Sequence, residues 1–219
     1  MEKMPFSDEV VLSGTALRER REPRVDRDWR VSLPTLRSES VTLRELRVTD
    51  ARSLFAMLSS EEVGRFISPP PATVAGFERF IAWTERERIA GNYVCFGIVP
   101  KGMNVAVGLL QVRQLDPQFD TAEWGFALGS SFWGSGIFIE AAHLLVQFVF
   151  DVIGAHRLEA RAAVRNGRGN GALRKLGATQ EGLLRRSLPR NGEYLDQVLW
   201  AILANEWRTL QAPCGPSIH

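Results

Sequence analysis

The chain has 219 residues, of which 45% are apolar and 24% charged, with a formal charge of +2. A chain of this size and composition can bury a full core without disulfide or metal staples, and so small a net charge excludes polyanion binding by bulk electrostatics. Cys95 and Cys214 stand far apart with no spaced Cys/His set, and no window is apolar for long enough to span a bilayer; neither a zinc site, a disulfide framework nor a membrane partner is expected, and the compartment reads as reducing and cytoplasmic.

Residues 1–35 read as an N-terminal arm. Thr15 to Arg30 alternates in charge, is broken by Pro23 and has little apolar periodicity, which suits a solvated, extended segment. Acidic residues interrupt its arginines, so a nucleic-acid or ribosome tether is not the expected role. Trp29, Val31 and Leu33 alternate and would pin the arm to the domain as an added strand. From Val41 the pattern turns regular. Val41, Leu43 and Leu46 mark a strand; Asp50 is a candidate N-cap for a helix with Ala51, Leu54, Phe55 and Leu58 on one face. A stiff Pro69–Pro71 loop follows, and Thr73 caps a helix carrying Val74, Phe77 and Ile81. Tyr93–Val99 and Val105–Val112 form a hairpin around Lys101–Asn104, and Glu123–Leu128 is a further strand. Next come a glycine-rich turn, a long helix with Ile137, Ala141, Leu144, Phe148 and Val152 at helical spacing, and a strand over Arg157–Ala163. A short helix near Asn170–Leu176 and strands over Gly182–Ser187 and Tyr194–Leu203 close the domain, with a tail from 207 to 219. The alternation predicts one mixed α/β (α+β) domain over 36–206, with a parallel crossover in its second half.

Glu123-Trp-Gly-Phe-Ala-Leu-Gly-Ser-Ser-Phe-Trp-Gly-Ser-Gly136 leads straight into the long helix. A strand that ends in Gly-x-Gly at a helix start presents free amides at the positive end of the helix dipole, where a phosphate binds. Glycine at 134 and 136 lets the phosphate approach the backbone closely. No Lys of the GK[ST] type follows, so this is not a nucleotide-triphosphatase loop.

Trp133-Gly134-Ser135-Gly136 with Glu140-Ala141 resembles the acyl-CoA pyrophosphate motif of the GNAT superfamily of N-acetyltransferases, in the variant of its RimJ/RimL branch. Leu43-Arg44 with Asp50-Ala51, His156 to Ala160, Asn166 with Lys175-Leu176-Gly177, Glu181-Gly182 with Arg185, and Asn191 to Tyr194 with Asp196 extend the likeness, in order, from 41 to about 203. The resemblance implies a central, mostly antiparallel twisted sheet, flanked by helices and splayed where acetyl-CoA inserts. It implies main-chain contacts to the donor from Phe126, Ala127 and Leu128, one of them an oxyanion donor, and a diphosphate held by the amides of Trp133, Gly134, Ser135, Gly136 and Ile137. Asn166 and Asn170 fall where the family touches coenzyme A, although helix capping would account for both. A homodimer is compatible with the likeness.

The activity implied is acetyl transfer from acetyl-CoA to a primary amine, on a protein N-terminus or a small molecule; the alternative is a catalytically weak acyl-CoA-binding protein. The attacking amine must be neutral, so a base is needed. Glu123, on the strand entering the motif, is the first candidate, against a plain ion pair. Tyr194 is a candidate acid or substrate contact, against a packed strand residue. His143 and His156 read as structural. The branch's Ser and Glu, expected at 169 and near 188, are replaced by Gly169 and Leu188. Arg65, Phe66, Trp83, Arg86 and Trp124 are candidate acceptor-cleft residues, and arginines there would suit an acidic acceptor.

Overall fold

The computed structural model describes residues 28–190 and 192–211. Most of the arm and its charge-alternating stretch, Asn191, Cys214 and His219 lie outside those residues. The elements run β1 (Leu36–Arg37), β2 (Val41–Glu45), α1 (Ala51–Leu58), α2 (Glu61–Gly64), α3 (Val74–Ile89), β3 (Tyr93–Pro100), β4 (Gly108–Gln114), β5 (Thr121–Leu128), α4 (Ile137–Phe148), β6 (Arg157–Ala163), α5 (Gly167–Lys175), β7 (Thr179–Arg190), β8 (Glu193–Leu203) and α6 (Ala204–Gln211).

Among the described residues, eight strands form one sheet in the order β1-β2-β3-β4-β5-β6-β8-β7. Every pair is antiparallel except β5–β6, the two strands joined through α4; a parallel pair needs such a crossover. The expected mixed fold with a mostly antiparallel sheet is therefore the one observed. Helices cover both faces. Cys95, Leu109 and Ala127 pack with α1 and α3 on one face, and Phe96, Leu110 and Leu158 pack with α4 on the other. A strand covered on both faces loses its polar alternation, which is why Tyr93–Pro100 is buried at every position.

Several elements differ from expectation. Asp50 makes no side-chain cap to α1. Its carboxylate is fully buried and takes two hydrogen bonds from the Arg44 guanidinium at 2.8 and 2.9 Å and one each from the amides of Arg47 and Ala106. Burial alone would raise its pKa; the Arg44 hydrogen bonds and the two amides outweigh burial and hold it below the usual value. Thr73 does cap α3, accepting from Gly76 N at 3.0 Å. Trp29 and Leu33 are buried and Val31 is exposed, but Trp29 lies in a turn, with its ring edge-on to Phe119. The added strand is Leu36–Arg37 instead. The long helix ends in a π-turn over Val149–Ile153. Its extra residue shifts the buried face, so Val149 and Phe150 are buried while Val152 is exposed. α6 continues past position 206 and buries Trp207 against His143.

Candidate active site

β5 and β6 pair only from Thr121↔Arg157 to Trp124↔Ala160. Both strands run on, to Leu128 and Ala163, without pairing. β4 still covers the other edge of β5 as far as Leu128. The result is a fork whose β5 edge is open to an extended ligand at Phe126 and at the Leu128 amide. Gly129 N donates to Val107 O, so alternation turns the Ala127 backbone toward Leu109 of β4 instead.

Beyond Leu128 the chain makes a short 3-10 turn and enters the glycine loop. Trp133 N donates to Ser130 O at 3.1 Å, Ser135 Oγ to Phe132 O at 2.7 Å and Trp133 Nε1 to Leu128 O at 2.9 Å. The Arg168 guanidinium lies 3.9 Å over the Trp133 ring. Gly134 and Gly136 have φ of 77° and 86°, a left-handed conformation that other residues adopt only at a cost. A Cβ at either glycine would meet nothing within 4 Å, so the space before them is open. Among the described residues no protein acceptor takes the amides of Gly134, Ser135, Gly136, Ile137 or Phe138. Five free donors at the positive end of a 12-residue helix form a site for a diphosphate. Trp133 departs from the expected set: its amide is already engaged, and its indole props the loop. Glu140, one turn into α4, accepts from Ser38 Oγ, Ser40 Oγ and Ser40 N at 2.6, 2.8 and 3.1 Å. Those bonds, Ser38 first, hold its carboxyl below the usual range and tie the helix start to the β1–β2 turn.

The two asparagines separate. Asn166 lines the cleft and caps α5, its Oδ1 accepting from Gly169 N at 2.9 Å. A Cβ at Gly169 would come within 2.6 Å of Asn166 Nδ2, so a side chain at 169 requires that amide to turn. Asn170 is buried and fully engaged. Its Nδ2 donates to Ala163 O and Asn166 O, and its Oδ1 accepts from Trp200 Nε1. The structure gives Asn170 an architectural job, tying α5 to β6 and β8, in place of the expected coenzyme contact.

On the α1/α3 side of the fork lies a cleft of about 600 Å³. Leu58, Phe66, Pro69–Pro71, Phe80 and Leu188 form apolar walls, and Gln111, Arg113, Glu123, Arg161 and Gln197 supply its polar floor. Strand alternation puts these polar residues on one face, since Arg113 stands opposite Glu123 in the β4–β5 register and Gln111 opposite Gly125. Arg113 bonds Glu123 Oε2 at 2.5 Å, and Arg161 Nε lies 3.8 Å from Glu123 Oε1. Glu123 is therefore in the cleft and ion-paired at once. Tyr93 donates to Gln111 Oε1 at 2.5 Å; burial pushes its phenol well up, so it stays a protonated donor.

The remaining expected residues lie elsewhere. Tyr194 is 59% exposed on the β7–β8 arm, outside the cleft lining and under the Arg186 guanidinium. It is one residue out of phase with Leu195, which faces the cleft-lining Leu188, so alternation sends its ring away. Of the candidate acceptor residues, Phe66 and Trp124 line the cleft; Arg65, Trp83 and Arg86 do not. His156 serves through its backbone, bonding Asp120 O and accepting from Ala204 N. Arg113, Arg161, Gln111 and Gln197 were not legible as site residues, because only the strand register brings them together, and Arg168 reaches Trp133 from α5.

The profile of the Acetyltransferase (GNAT) domain family matches residues 40–179. The chain is 28% identical over 176 residues to p20 of Bacillus licheniformis, described as an uncharacterized N-acetyltransferase, a match covering 80% of this chain and 99% of that one. It resembles Mycobacterium smegmatis RimJ, solved with CoA-disulfide, with a TM-score of 0.70 at 25% identity over 76% of this chain and 83% of that one. In fold it also resembles the ribosomal-protein-S5-alanine acetyltransferase of Vibrio fischeri, with a TM-score of 0.71 at 20% identity over 80% of this chain and 98% of that one.

Proposed function

The chain belongs to the GNAT acetyltransferase family and is an acetyl-CoA-dependent N-acetyltransferase; from that premise we propose how its own residues divide the reaction. The amides of Gly134 to Ile137, with Phe138 added, bind the diphosphate of the donor. The open β5 edge at Phe126 and Leu128 takes the pantetheine arm, and Asn166 flanks it. The thioester then lies at the fork beside Trp124 and Ala160, and one β5 amide stabilises the oxyanion that forms on attack. The acceptor amine enters from the cleft and attacks the thioester carbon directly. Its proton passes to Glu123, at hand or through one water. The thiolate leaves with little help, since a thiol pKa of about 8.5 makes it a tolerable leaving group. Holding amine and thioester together supplies roughly 7–11 kcal/mol of the barrier.

The observation that carries this reading is the conjunction of a strand fork with five unengaged amides at its end. The acceptor is a primary amine. The likeness of this chain, at 26% identity, to a protein of Bacillus subtilis described as a putative ribosomal N-acetyltransferase makes a protein acceptor one candidate beside small amines. The test is a titration with acetyl-CoA followed by thiol detection over a panel of peptides, polyamines, amino acids and aminoglycosides. Binding with thiol release for at least one amine is expected. Tight binding with no release for any of them would favour the alternative, a catalytically weak acyl-CoA-binding protein, and no binding would dismiss both.

A further inference from the structure

We infer that the acceptor carries an anionic group within a few bonds of its amine, and that Arg161 is the specificity residue that pairs with it. The inference rests on the acetyltransferase reading above and narrows the substrate class of that same cleft.

The first ground is charge. The cleft lining holds two guanidinium groups, Arg113 and Arg161, against one carboxylate, Glu123. The second is how differently the arginines are engaged. Of the two cleft arginines, Arg113 holds a carboxylate within hydrogen-bond distance, at 2.5 Å. Arg161 only approaches Glu123, Nε to Oε1 at 3.8 Å, and its side chain is 38% exposed. Among the described residues its terminal nitrogens have no acceptor.

The third ground is the polarity of the free groups. Glu123 Oε2 is taken by Arg113, Gln111 Oε1 by the Tyr93 hydroxyl and Gln197 Oε1 by the Ser187 hydroxyl at 3.0 Å. What the floor still offers is a set of donors: the Arg161 fork and the amide nitrogens of Gln111 and Gln197. Glu123 Oε1 remains as an acceptor. An anion satisfies the donors, and an amine satisfies that oxygen.

Position completes the case. Arg161 is the first residue of β6 beyond the last β5–β6 pair, Trp124↔Ala160. It stands where the strands part, at the level the reacting carbonyl would reach. Its separation from the Glu123 oxygen suits a ligand whose amine and acid are only a few bonds apart. A surplus cation there disfavours a polyamine by like-charge repulsion. It also favours the neutral form of the bound amine, which is the form that attacks. Free amino acids and peptide N-termini with an acidic first residue share this chemistry.

The full-length protein is assayed with acetyl-CoA by thiol release. The acceptors are aspartate and its amides, the related amine lacking the α-carboxylate, putrescine, and tetrapeptides starting with Asp or Asn. Acidic acceptors are expected to exceed their neutral amides by about 10- to 100-fold in kcat/KM, the range of one charge-assisted hydrogen bond. Arg161→Gln should collapse that ratio toward one, Arg161→Lys should keep part of it, and Arg161→Glu should turn the preference toward putrescine. The ratio is insensitive to any change in donor affinity, which is measured separately by acetyl-CoA titration. A preference confined to the Asp peptide identifies a protein terminus and supports the inference, as does one for the free acid. Equal rates for acid, amide and amine in every variant would overturn it while leaving the acetyltransferase reading intact. Absence of thiol release with every amine would overturn that reading first, and this one with it.

Discussion

Gly136 offers the most discriminating test of the donor site. Its φ of 86° is left-handed, and a Cβ there would meet nothing within 4 Å. A side chain therefore meets no steric block, and the cost is conformational. For Ala it is roughly 1–2 kcal/mol, which in a domain of this size lowers Tm by about 2–8 °C. Asn tolerates the left-handed region better, and a β-branched Val tolerates it worst. If the turn relaxes, at least one of the amides at 134–138 swings off the diphosphate. Losing one hydrogen bond to a charged group costs about 1.5–3 kcal/mol, or roughly 10- to 150-fold in Kd. The expected order of acetyl-CoA affinity is wild type, Gly136→Asn, Gly136→Ala, Gly136→Val. Isothermal titration gives the affinities and thermal melts give the fold. Equal weakening in all three would mean that close approach, not backbone conformation, is what the glycine provides. A Val variant that binds as tightly as wild type while folding normally would refute the phosphate cradle.

Two other outcomes follow from the ion pairs. Asp50→Asn leaves the buried Arg44 guanidinium without its charge partner, at a cost of about 3–5 kcal/mol, read by urea unfolding. Because the folded-state pKa of Asp50 is depressed from 3.8, the stability it contributes is full above that value and is lost as pH falls through the lower folded pKa. Wild type should therefore show a steeper acid limb below about pH 4 than the variant, and identical limbs would remove Asp50 from that account. Glu123→Gln keeps an oxygen for Arg113 but removes the base. Turnover should fall on the order of 10²–10⁴-fold with acetyl-CoA affinity little changed, and a rate within twofold of wild type across pH would assign Glu123 to the ion pair alone.

Much of this protein is local physics and was legible as such. The 3.6-residue spacing of α1, α3 and α4, the capping Thr73 and the strand–glycine–helix passage at 128–137 each depend on residues a few positions apart. These give the elements and an anion site; donor and reaction class came from the resemblance of the 133–141 motif to the GNAT superfamily, with which the family match agrees. The π-turn at Val149–Ile153 escaped because nothing in an apolar run announces one extra residue per turn. Gly169 and Leu188 were visible as departures. That Asn166 caps α5 through the Gly169 amide needed the packed geometry.

Tertiary structure decided the rest. Asp50 looks like a helix cap until β2 and the 104–106 segment close around it. Asn170 looks like a ligand contact until Trp200, thirty residues on, takes its oxygen. Tyr194 looks catalytic until the pleat turns it outward. Arg113, Glu123 and Arg161 come from three strands, and only their register makes them one floor. Side-chain alternation within a strand can be read along the chain. Which strand lies beside which, and in what phase, is set by burying both sheet faces at once, and that is where the acceptor side of this enzyme was determined.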